Sequence, residues 1–104
     1  MLPNQTPEAR AAALQKAAEA RQARALVKHR LKFGGASITD IMMQGQGDDA
    51  IGRMKVSALL ESMPGVGKVK ARSIMDELGI ADNRRVRGLG VQQLRSIANY
   101  FEGA

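Results

Sequence analysis

The stretch that most restricts how this chain can fold is Leu59 to Ile80, LLESMPGVGKVKARSIMDELGI. Pro64 disfavours the helical conformation at Met63 and so stops an incoming helix. Gly65 and Gly67 permit backbone angles that a side chain forbids, and Val66 between them is placed to plug the apolar space between two helices. The outgoing helix carries Val69, Ala71, Ile74, Met75 and Leu78 at near-helical spacing, with Gly79 as its C-terminal cap. The pattern predicts two helices joined by a tight corner.

A glycine corner that feeds a helix leaves several N–H groups unpaired at the positive end of the helix dipole, which suits a phosphate. Lys68 and Lys70 flank it with charge that a purely structural turn does not require. The arrangement resembles a helix-hairpin-helix motif, in which hairpin N–H groups hold a nucleic-acid backbone without reading its sequence. A plain connection between two core helices is the alternative.

Charge bears on that choice. Sixteen Lys and Arg stand against ten Asp and Glu in 104 residues, a net charge of +6. The excess favours a polyanionic partner. Zinc fingers, disulfides and thiol catalysis are excluded because there is no cysteine. No stretch approaches the roughly 18 apolar residues of a membrane span. MLPNQTPEAR lacks the basic start and apolar run of a signal peptide, so a cytoplasmic protein without membrane partners is expected.

Residues 1–5 read as a disordered leader. Thr6-Pro7-Glu8 is a helix start, with Thr as N-cap, Pro in the first turn and an acid beside it. Nothing interrupts the Ala-rich stretch until Gly34-Gly35, so residues 6–34 form one long basic helix of roughly 40 Å. Steps of about 100° put Arg10, Arg21, Arg24, Lys28 and Lys32 inside an arc of roughly 80°. Ala13, Ala20, Val27 and Leu31 lie beside that stripe as the expected core contact. Five like charges on one face weaken a free helix, which implies fraying of its first turns until a polyanion is present.

Residues 35–104 read as a helical core, forming one domain with the long helix. Ser37 caps a short helix over 38–44, and 44–49 is a polar loop in which Asp48-Asp49 is a weak metal signal. A helix over 54–63 buries Val56, Leu59, Leu60 and Met63, with Arg53 and Lys55 within reach of a phosphate. After the hairpin, Arg84, Arg85 and Arg87 occupy a loop closed by Gly88 and Gly90, anchored by Val86 and Leu89. Clustered arginines on a tethered loop enter a groove or grip successive phosphates. The last helix, 91–101, packs Val91, Leu94, Ile97, Ala98 and Phe101. The expected fold is all-α with about five helices.

The segment MKVSALLESMPGVGKVKARSIMDELGIADNRRVRGLG, together with the RLKFGGAS junction, closely resembles the actinobacterial (mycobacterial-type) integration host factor family. That resemblance implies a compact helix–two-turns–helix core that binds and bends duplex DNA largely without sequence preference. It also implies roles in compacting the nucleoid and assisting phage integration. Gly65, Gly67 and Lys68 then become the backbone-gripping turn, and Arg84, Arg85 and Arg87 a second contact near the minor groove. MMQGQG at 42–47 departs from the family and implies a looser second helix.

Three other functions compete with DNA binding, and the basic clusters disfavour one of them, a structural interaction module built from the hairpin alone. Catalysis has little support: one His, no Cys, and no carboxylate pair set for acid–base work. RNA binding is the stronger rival, because a small-subunit ribosomal protein shares the helix–two-turns–helix logic. That family adds a long basic tail, whereas this chain ends Phe101-Glu102-Gly103-Ala104. The expectation is a monomer in solution whose partner is double-stranded DNA, with no cofactor, metal or small-molecule substrate.

Overall fold

The computed structural model describes residues 6–102, so the expected leader at 1–5 lies outside the described residues. Six α-helices follow in order: α1 Pro7–Lys32, α2 Ile38–Gln44, α3 Asp49–Gly52, α4 Val56–Glu61, α5 Lys68–Leu78 and α6 Val91–Glu102. A single 3-10 turn, Val86–Gly88, stands between α5 and α6.

Capping fixes where the helices begin. Thr6 Oγ1 accepts from the Ala9 N–H at 3.0 Å and Ser37 Oγ from the Asp40 N–H at 3.1 Å. Asp48 does the same for α3, accepting from Ile51 N–H at 3.1 Å. The polar loop expected at 44–49 therefore runs into a four-residue helix at its end, with Asp48 as its cap. Gly79 closes α5 in the left-handed conformation at φ 70°.

The core is aliphatic. Ile41, Met42, Leu59, Leu60, Ile74, Met75 and Ile97 are fully buried, each burial contributing roughly 1.5–3 kcal/mol. α4 packs on α5, α2 on α6 and α3, and α1 crosses α3. Val27 and Leu31 attach the C-terminal part of α1 to this core.

The rest of α1 extends past the core. Residues 7–17 are all exposed, and the molecule measures 52 × 27 × 24 Å. Its radius of gyration of 15.8 Å exceeds the roughly 13 Å of a compact chain this long. Ala13, an expected core contact, is exposed on this overhang. Val69 and Val91 are likewise 86% and 67% exposed. Both lie in the first turn of a helix, where Cβ atoms tilt toward the N-terminus and project off the end of the core.

The segment 42–47 is not loosened by its glycines. Gly45 caps α2, and a Cβ there would sit 2.4 Å from Val86 Cγ1, so the glycine permits close packing. Gln46 Nε2 then donates to the Met42 and Val86 carbonyls at 3.1 and 2.8 Å. α2 is thereby fastened to the 3-10 turn forty residues away.

Candidate nucleic-acid interface

Three pieces of chain meet at the basic side of the molecule. The first is the corner between α4 and α5. Gly65 adopts φ +76°, Val66 N–H bonds the Met63 carbonyl at 3.1 Å, and the Val66 side chain packs against the core. The expected plug is in place. Gly67 differs from expectation: at φ −93° and ψ −173° it is extended, which any residue tolerates. A Cβ there would meet nothing within 4 Å.

Gly67 is the N-cap of α5, and no side chain caps that helix. Its first backbone bond runs from Ala71 N–H to the Gly67 carbonyl at 2.9 Å. The N–H groups of Lys68, Val69 and Lys70 precede that bond and face outward at the positive end of the dipole. Lys68 and Lys70 are exposed beside them.

The second piece is the arginine loop, held by backbone rather than tethered loosely. Val56 N–H bonds the Arg84 carbonyl at 3.0 Å and Val86 N–H the Met54 carbonyl at 2.9 Å. This is one antiparallel bridge between Lys55 and Arg85. It brings Arg53, Lys55 and Arg85 together, and the Arg85 guanidinium donates to the Arg53 carbonyl.

The three arginines are separated. Arg85 alone lines a groove with Arg53, Lys55, Arg24 and Lys28. Arg84 folds back to donate to the Gly88 carbonyl at 3.1 Å. Arg87 pairs with Asp49, passing so near Gly52 that a Cβ there would lie 3.0 Å from Nε. The hydrogen bond from Arg87, followed by its charge, holds the Asp49 carboxyl below its ordinary value of 3.8. Arg53 and Lys16 act in the same direction.

The third piece is α1. Arg24 and Lys28 face the groove floor, and Lys28 and Lys32 continue into a second depression walled by Pro64 and Gly65. Lys16 and Arg24 face Arg53 and Asp49 in a cleft toward the overhang. Arg10 and Arg21 are exposed and line none of these depressions. Lys68 lies in a separate hollow with Glu61, Arg72 and Asp82, where Arg72 and Asp82 pair at 2.6 Å.

Phe33, His29, Glu61 and Lys16 also line this surface, and none of them stood out as a contact in the sequence. The available signal was Phe33, an aromatic between Lys32 and a glycine pair in a chain with only three aromatics. Among the described residues no helix is long and apolar enough to cross a membrane.

The S13-like H2TH domain family matches residues 31–101. An integration host factor of Streptomyces coelicolor is 62% identical over 100 residues, covering 96% of this chain and 94% of that protein. One from Mycobacterium tuberculosis is 54% identical over 103 residues, covering 99% and 98%. A solved structure of sIHF bound to an 8-base-pair palindromic DNA matches with a TM-score of 0.81 at 60% identity, covering 84% of this chain and 98% of that one. With identity at this level along the whole length and the hairpin domain in register, the chain belongs to the integration host factor family of actinobacteria.

Proposed function

We propose that this protein is an architectural, nucleoid-associated factor that binds and bends double-stranded DNA largely independently of sequence. In the cytoplasm it compacts the chromosome and supports site-specific recombination such as phage integration. It acts as a monomer and by binding alone, with no reaction assigned to it.

One observation carries this reading. The cations Arg24, Lys28, Arg53, Lys55 and Arg85 share a groove that continues, through Lys28, to the corner formed by Pro64 and Gly65. One DNA backbone lies across the α5 amides, with Gly65, Val66, Gly67, Lys68 and Lys70 at that contact. Another follows Lys28 and Lys32, while Arg21 and then Arg10 extend the track toward the N-terminus of α1. Arg84 and Arg87, exposed on the same loop, add to this contact, and the Gly88 N–H holds the Arg85 carbonyl at 2.9 Å. Holding two backbones at once favours deformable steps, a preference for shape rather than for base edges.

The relatives' name and the DNA held by the similar solved chain support DNA over RNA. Neutralising about six to eight phosphates gives a log–log salt slope of about −5 to −7. Fluorescence anisotropy on a labelled duplex from low to moderate salt measures it, with duplex RNA as competitor. A slope near zero, or equal competition by RNA, contradicts the reading.

A further inference from the structure

The depression beside the hairpin contains one side chain that an ionic grip does not need. Phe33 is 68% exposed although the chain has only two phenylalanines. It sits at the C-cap of α1, with its ring centroid 4.6 Å from that of His29. Lys32 Nζ lies 5.6 Å from the same centroid. Opposite it, the depression is walled by Met63, Pro64 and Gly65. The ring is thus braced by an imidazole and an ammonium at a helix end, and it remains largely in water.

We infer that Phe33 is a wedge for the minor groove of bound DNA, stacking on one base step and fixing where the duplex kinks. This inference rests on the DNA-binding reading above. If the α5 amides hold one backbone and Lys28 and Lys32 another, the groove between those backbones faces the ring. Apolar side chains in such a position partly unstack a base step and bend the duplex. A phenyl face stacks on any base, so the contact adds grip without adding sequence preference.

A protein partner is the competing occupant. Leu26, 57% exposed, shares an outward strip with His29 and Phe33 by helical spacing. Charge favours DNA, because Lys28 and Lys32 outnumber Glu61 in the depression with Phe33, whereas Leu26 does not line it.

The test compares the full chain with Phe33→Ala, Phe33→Trp and Leu26→Ala on matched duplexes and on duplexes carrying one mismatch. Phe33→Ala should bind about tenfold more weakly, with its salt slope unchanged because the ring neutralises no phosphate. Its gain from the mismatch should also shrink, since it no longer opens a step. Phe33→Trp, in a chain without other tryptophan, should keep its affinity and lose indole emission on saturation with DNA. Leu26→Ala should bind as the parent does.

Affinity of Phe33→Ala within twofold of the parent overturns the wedge, as does indole emission indifferent to DNA. A parallel loss in Leu26→Ala, with self-association of the parent in sedimentation, assigns the strip to a protein contact instead. A flat salt slope in the parent overturns the DNA-binding reading itself. A steep parental slope with an inert Phe33 removes the wedge alone.

Discussion

The N-terminal half of α1 and the hairpin core both present cations, and they are held in place by different means. Residues 7–17 make no buried contact. Their helix rests on the Thr6 cap and on alanine's helix propensity, terms of about 1 kcal/mol or less per residue. The groove cations stand on a floor fixed by buried Val56, Leu59, Leu60 and Val86 and by the Lys55–Arg85 bridge. One basic surface is assembled before DNA arrives, and the other is ordered chiefly by its own backbone. Similar charge can therefore serve as a rigid clamp in one place and as an adaptable arm in another.

The strongest way to break this comparison is to weaken the core. Leu60→Ala, at a fully buried site, should cost about 2–5 kcal/mol of stability, read as a fall in the urea midpoint. Leu14→Ala on the overhang should leave that midpoint unchanged.

A finer test neutralises matched pairs of cations. Changing Arg24 and Lys28 to Gln, or Arg10 and Arg21 to Gln, should each reduce the steepness of the salt slope by about 2. Only the more N-terminal pair should also reduce the helicity that α1 gains on adding DNA, followed by circular dichroism. Equal changes in helicity for both pairs would erase the distinction.

The smallest effect concerns the Arg87–Asp49 pair, at the junction of clamp and arm. Asp49 has a depressed carboxyl pKa in the folded protein. Its stabilising contribution is therefore complete above the ordinary value of 3.8 and disappears as pH falls through the lowered value. Asp49→Asn should slightly lower the urea midpoint at neutral pH and match the parent once both are well below that value. A difference persisting in acid would mean that Asp49 stabilises by some route other than this pair.

What the sequence made legible was local. Thr6, Ser37 and Gly79 each announce a helix boundary by chemistry confined to a few residues, and the hairpin is defined by Pro64 and Gly65 alone. The apolar spacing gave most of the core, failing at Ala13, Val69 and Val91, because periodicity identifies a face but not where the covering layer ends. Helix α3 was hidden because four residues carry too little periodicity to stand out among Gly45, Gly47 and Gly52. The distribution of the arginines was also illegible. Arg84, Arg85 and Arg87 look like one cluster, yet Asp49, the Arg53 carbonyl and the Gly88 carbonyl draw them to three destinations. Two of those partners lie more than thirty residues away, beyond anything local spacing records.

The overhang of α1 has one more consequence. Because residues 7–15 are exposed while Lys16, Ala20 and Arg24 already face α3, the length of that leading segment is uncoupled from the packing of the remainder. A change of one turn alters the reach by about 5.4 Å while leaving every interior contact as it was. Within such a scaffold, the span of duplex covered becomes an adjustable dimension, set by how many alanine-rich turns precede Lys16 and independent of the globule that anchors them.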